Sequence, residues 1–403
     1  MQGSFKAVLA IGAAIAATNA GSADELKVGF LGGMTGPIES LMPPILAGAR
    51  LAVDQVNEAG GISGKNPIKL VVGDTTCADA TKAADAADRA VNVEKVVAIV
   101  GAMCSGATIS AAHNAAIPGG IVMVSPASTS PAVTTLEDKD LVFRTTPSDA
   151  FQGQVLANVV KSKGIDQVAV TYVNNDYGKG FAGSFQEAFE KTGGKVLASE
   201  AHEDGKADYR AEIGSLASTG APALVVLAYI DGSGGTIVKQ AIEGGDFSQF
   251  IGGDGMVGDR IGELAGEQAD GMIATRPGAP ELPGTEIFDR AAKETGFDPQ
   301  ATFASQSYDA AFLLALALEK TGGKAEGLNE ALREVATQPG ETILPGEWEK
   351  AAELIKEGKE INYEGASGSH EFDENGDVPG VFDEMVVKSG KFERVGPAKT
   401  ESQ

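Results

Sequence analysis

The sequence predicts an α/β protein of two successive units, each a mostly parallel sheet covered by helices on both faces. Three observations carry this. Short apolar runs, such as residues 26–31 and 96–100, alternate with segments whose apolar residues recur at helical spacing. The alternation restarts after residues 141–144. Helices end in glycine-bearing caps, as at 57–61, while strands run out into glycine-rich or hydroxyl-rich turns, which is the pattern of repeated βα units. With 403 residues, 43% hydrophobic and 22% charged, the chain is long enough for about two domains with separate cores.

Taken in order, residues 1–23 read as a secretory leader: Lys6, the apolar run 8–17, then small residues up to Ala20 or Ala23. The run is too short to span a bilayer, and no Cys stands near its end to carry a lipid. The strand 26–31 leads into the turn GGMTGP at 32–37 and a helix over 44–59, with Leu46, Ala49, Val53 and Val56 on one face. A strand at 68–72, a helix at 81–93 and a strand at 96–100 follow. Next come a tight turn at 101–106, a helix over 105–117, a strand at 121–124 and the hydroxyl-rich loop 125–130.

In the second unit the order is a helix at 151–160, a strand at 168–173, a turn NNDYGKG at 174–180 and a helix over 181–189. Strands are expected at 195–198, 223–229, near Phe250 and at 272–275, with helices at 208–218 and 235–243. Helices at 286–294, 303–320, 328–336 and 347–356 come after them, and the apolar run 310–318 is a buried helix rather than a membrane span. The end of the chain reads as a hairpin turning at Asn375 and Gly376.

Residues 100–131 hold the densest chemistry. Two loops leave the carboxyl ends of neighbouring strands there, which is where ligands bind in an open α/β sheet. Ser105 and Gly106 begin a helix whose first N–H groups lack intrahelical partners, and Ser125, Ser128, Thr129 and Ser130 stand opposite. Such donors suit a small anion such as a carboxylate. No nucleophile with a base is in evidence, so the chain is read as a binder and not an enzyme.

Other classes fit less well. A net charge of −24 argues against nucleic acid. Cys77 and Cys104, the two cysteines of the chain, are read as one disulfide of an exported protein, with a metal site as the weaker alternative. LGGMTG lacks the G-x-G-x-x-G spacing of a dinucleotide loop, GASGS at 365–369 lacks the last glycine of a nucleophile elbow, and DENGD at 373–377 does not complete a calcium loop. No cofactor or metal is expected.

Over nearly its whole length the mature chain resembles the Leu/Ile/Val-binding protein family, the type I periplasmic amino-acid receptors of bacterial ABC importers. The landmarks are KVGFLGGMTGP, NEAGGI, the Cys77 and Cys104 spacing with CSG, SPASTSP, FRTTPSD, NDYGKG and SYDAA. The resemblance implies two Rossmann-like lobes joined by three crossings, near Thr146, Pro277 and Gly368, with the ligand in the cleft between them. The N-terminal lobe would hold 24–146 and 278–367, and the C-terminal lobe 147–277 and 368–403.

The resemblance also implies roles. Ser105 and Thr129 would hold the ligand carboxylate, Ala127 would offer its backbone to the ammonium, and Asp254 would pair with that ammonium. Tyr177 and Tyr229 would be aromatic groups brought down by the second lobe. Read without the resemblance, the two tyrosines are packed rings and Asp254 is a turn residue among glycines. Met34, Ile38, Leu41, Met103 and Phe303 would form an apolar side-chain pocket, with Leu41 where an aromatic often stands and Asp254 one methylene shorter than the usual Glu. Glu39 is read as a solvent-facing loop charge, or as a specificity group if it faces the cleft.

The implied function is a monomeric periplasmic receptor that delivers a branched-chain or other aliphatic amino acid to the permease subunits of an ABC transporter. A sensor-type receptor for an amide or urea-like ligand is the alternative, and an exported hydrolase a more distant one.

Overall fold

A computed structural model describes residues 25–399, so the leader expected at 1–23 lies outside the described residues. The first sheet contains β1 (Leu26–Gly32), β2 (Ile68–Asp74), β3 (Ala98–Gly101), β4 (Met123–Ser125) and β5 (Val142–Arg144), all parallel, in the order β2-β1-β3-β4-β5. β3, β4 and β5 are buried throughout, as a sheet covered on both faces requires. The connection leaves β1 for β2 on one side and returns to β3 on the other, so loops diverge at the carboxyl ends of β1 and β3.

The second sheet repeats this plan. β6 (Gln167–Val173), β7 (Lys195–His202), β8 (Ala223–Leu227), β9 (Gln249–Gly252) and β10 (Ile273–Pro277) are parallel, with the reversal between β6 and β8. β11 (Glu341–Ile343) and β12 (Ile361–Tyr363) pair as a separate two-stranded sheet. The chain then returns to the second sheet as β13 (Phe382–Lys388) and β14 (Lys391–Pro397), antiparallel to their neighbours, and the order becomes β14-β13-β10-β9-β8-β6-β7.

Between these two visits the helical segment docks on the first sheet. The helix Ala304–Thr321 is buried along all but its last turn and packs against the helix Met42–Glu58 and against β3 and β4. The approach is close: a Cβ on Gly48 would fall 2.2 Å from the Ala304 carbonyl oxygen.

Two local expectations need correction. NNDYGKG is not a turn: a helix starts at Asp176, capped by Asn175, whose side chain accepts from Gly178 N at 2.9 Å. Gly178 serves the close contact of this helix with its strand, since a Cβ there would lie 2.1 Å from the Val173 carbonyl oxygen. Asn375 and Gly376 do not turn a hairpin of strands. Asp373 takes the backbone N–H of Asn375 and Asp377 in its own carboxylate, and Arg333 takes the carbonyls of Phe372 and Asp373, so these groups are unavailable to a ladder. The hairpin is β13–β14, and Ser389 and Gly390, both at positive φ, make its turn.

Candidate functional site

The loops leaving β1, β3 and β4 of the first sheet face the loops leaving β6, β8 and β9 of the second. Between them lies a narrow cavity of about 20 Å³. From the first side come Leu41, Ser105 and Ala127, with Phe303 from the docked helical segment; from the second come Tyr177, Tyr229 and Asp254. Seven of the eight expected ligand-contacting residues therefore line one space.

Ser105 is the first residue of the helix Ser105–Ala111, and its hydroxyl accepts from Ser130 N at 3.1 Å. The loop behind it is a hydroxyl network around one acceptor: Ser125, Ser128 and Thr108 all donate to the Ala102 carbonyl oxygen, at 2.5, 3.2 and 3.0 Å. This packs the loop against the helix start and turns Ala127 toward the cavity. Arg144, fully buried, holds the same loop from beneath, donating to the Ser128 and Ser130 carbonyl oxygens and in a bidentate pair to Asp377. The disulfide Cys77–Cys104 ties the end of β2 to the residue before Ser105. Gly33 is fitted to it, because a Cβ there would lie 2.7 Å from the Cys77 sulfur.

On the opposite wall Tyr177 and Tyr229 stack, ring centroids 5.0 Å apart. The Tyr177 hydroxyl donates to Asp254 Oδ1 at 3.2 Å and accepts from Gly255 N at 3.2 Å. Gly253 and Gly255 leave room for it, since a Cβ on either would come within 3.1 and 3.0 Å of that oxygen. Phe303 stands at the start of its helix with φ at +64°, a conformation that costs a side-chain-bearing residue energy and here turns the ring into the cavity.

Thr129 is placed differently from the rest. It is buried, but its hydroxyl donates to Asp149 Oδ2 at 2.8 Å, and it is not among the lining residues. Asp149 is the residue that sequence reasoning missed. Burial and the neighbouring Asp254 charge raise its pKa well above the ordinary carboxylate value. Burial likewise raises Asp254, to about 7, against the opposing hydrogen bonds from its own backbone, Tyr177 and Gln152. Asp149 Oδ1 and Gln152 Oε1 have no hydrogen-bond partner among the described residues. On the second wall Asp254 is therefore the acceptor suited to an ammonium, with Asp149 and Gln152 near it but outside the lining, and it faces a helix start suited to a carboxylate.

Ile38, Leu41, Ile45, Met103 and Phe303 make the rest of the lining apolar. Met34 is half-buried outside the cavity, and Glu39 is exposed. Among the described residues no cluster of His, Cys, Asp or Glu is arranged to hold a metal ion, and no helix is long and apolar enough to cross a membrane.

Comparison with known proteins agrees with this geometry. The family model described as periplasmic binding protein matches residues 25–356. The chain is 32% identical over 318 residues to a leucine-, isoleucine-, valine-, threonine- and alanine-binding protein of Pseudomonas aeruginosa, covering 77% of this chain and 83% of that one. Among solved structures, a leucine-binding protein from Thermotoga maritima is similar at a TM-score of 0.78 and 27% identity, covering 93% of this chain and 99% of that one. A branched-chain amino acid transporter substrate-binding protein from Streptococcus pneumoniae, in complex with isoleucine, is similar at 0.76 and 27%, covering 93% and 100%.

Proposed function

Because the chain belongs to the periplasmic binding protein family, we propose that it is the exported receptor of an ABC importer, a monomer that binds an aliphatic amino acid and presents it to a membrane permease. The observation that carries the reading is the polarity of the cavity: helix-start donors at Ser105 on one wall, the acid Asp254 on the other, and apolar side chains between. The Pseudomonas aeruginosa relative is named for binding leucine, isoleucine, valine, threonine and alanine, and the Streptococcus pneumoniae structure holds isoleucine.

In this reading Ser105 holds the ligand carboxylate with its hydroxyl and backbone N–H. Asp254 and the Ala127 carbonyl take the ammonium. Tyr177 fixes the Asp254 carboxylate, Tyr229 stacks behind Tyr177, and Leu41 and Phe303 enclose the side chain. Thr129 acts one layer back, by orienting Asp149. The lobes turn about crossings near Thr146 and Pro277 and, in place of the expected Gly368, near 378–381, since residues 372–377 are held by Arg144 and Arg333 of the first lobe. Closure removes the ligand from water, which strengthens each polar contact. The mature protein works in the periplasm, and the loaded form is what the permease recognises.

The test is thermal unfolding of ligand-stripped protein against a panel of amino acids. Leucine, isoleucine or valine at about a hundred times its Kd should stabilise the fold by about 2.7 kcal/mol. Asp254→Ala should abolish that gain while the chain still unfolds cooperatively. A panel in which no zwitterion moves the midpoint would end the reading.

A further inference from the structure

Next to the ligand cavity lies a second and far larger one, of about 600 Å³. Leu41 lines both and is the partition between them. It is pressed against Gly258, where a Cβ would fall 2.8 Å from Leu41 Cδ2. The larger cavity is also built from both sides of the molecule: Pro44 and Phe297 from the first, Val257, Met385 and Phe392 from the second.

Its polar end is formed by two guanidiniums. Arg276 is only 7% exposed. Its Nη1 donates to the Gln300 carbonyl oxygen at 2.5 Å, and its Nη2 stands 3.9 Å from Asp383. Its Nε has no hydrogen-bond partner among the described residues. Arg394 also lines the cavity and donates to the same Asp383 at 2.7 Å. One buried carboxylate thus serves two guanidiniums. The acids that line the cavity, Asp259, Asp298 and Glu393, are exposed, as is Arg394, so water screens these four charges, and Arg276 is the buried charge of the lining.

A buried N–H without an acceptor is costly, and a carboxylate is the group that matches a guanidinium best. The volume falls in the range of sites for small organic ligands. We propose that this cavity is a second ligand site, separate from the amino-acid site, for a small amphipathic monocarboxylate whose charged end meets Arg276 and Arg394 and whose apolar body lies against Phe297, Met385 and Phe392. The inference goes beyond the amino-acid reading. Because both lobes contribute to the walls, an occupant favours the closed arrangement, and occupancy of the two sites is mutually reinforcing.

Octanoate is the probe, titrated calorimetrically into ligand-stripped protein and then into protein saturated with leucine. One equivalent binds in both cases, and more tightly with leucine present. Arg394→Gln weakens octanoate by about tenfold, the loss expected of a charge-assisted contact, and leaves leucine binding within about twofold. Pro44→Trp, which fills the cavity from the first side, abolishes octanoate binding. No octanoate binding at millimolar concentration, displacement of octanoate by leucine, or an unchanged affinity in both variants would each overturn the proposal. Octanoate binding to protein that takes no amino acid would leave this site standing and remove the importer reading; leucine binding without octanoate would do the reverse.

Discussion

Asp149 and Asp254 are two acids buried within each other's field, and burial makes the neutral form of each easier to hold than in water. The folded protein without added ligand therefore keeps a proton that the unfolded chain releases at the ordinary Asp value of 3.8. A raised acid contributes stability that is complete below that value and is lost as pH climbs toward about 7. His202 works the opposite way. Buried between Thr171 and Ser233, it is held neutral down to about pH 4, so its contribution is lost as pH falls below its ordinary value of 6.5. Asp254 is isolated by difference: in urea unfolding, the stability of the wild type relative to Asp254→Asn should fall between about pH 4 and pH 7. A difference that stays flat across that range would mean that Asp254 is ionised in the folded state. Asp149 had no signature in the sequence, because its significance comes from Asp254, over a hundred positions away, being folded against it. Ser105 was legible, since a helix start after an apolar strand is a local pattern.

Several elements meet across the cleft through a few identifiable bonds. Asp231, in the loop after β8, accepts from Ser40 N at 2.7 Å and donates its own N–H to the Pro37 carbonyl oxygen at 3.2 Å. Ser130 donates to the Asp176 carbonyl oxygen at 2.8 Å, and Thr302 to that of Val257 at 3.1 Å. Asp231→Ala removes a partly exposed, charge-assisted bond between the two sides of the cleft, at a residue that does not line the cavity. It should weaken amino-acid affinity roughly fivefold, with the change in the dissociation rate measured by stopped flow. An unchanged dissociation rate would show that this contact does not hold the lobes. The disulfide acts within one lobe, closing a span of 27 residues. Replacing Cys77 and Cys104 by Ala should cost about 3.5 kcal/mol in chain entropy, read from denaturant unfolding, and should weaken ligand binding further because Ser105 follows Cys104 directly. The pairing was readable from two cysteines in a chain whose first residues read as an export leader. The helix Asp176–Lys191 was not read from its first residue because its glycines, chosen for close packing on β6, mimic those of a turn.

At the scale of the whole molecule, the parallel strands of the two sheets share one order, the second sheet adding an antiparallel hairpin, and each sheet offers the loops beside its reversal to the cleft. The strand and helix alternation made both sheets legible, and the order of motifs made their partnership legible. The large cavity lined by Arg276 and Arg394 was not, because it is assembled from the β1 loop, the helical return segment and the final hairpin, which no local pattern relates. The smaller cavity sets a limit on tempo. About 20 Å³ has room for little more than one water and not for an amino-acid side chain, so a leucine enters only after the walls part. Capture is then a gated process. At high leucine concentration the observed association rate should level off at the frequency with which the cleft opens, and supply of solute would cease to govern how fast a receptor is loaded.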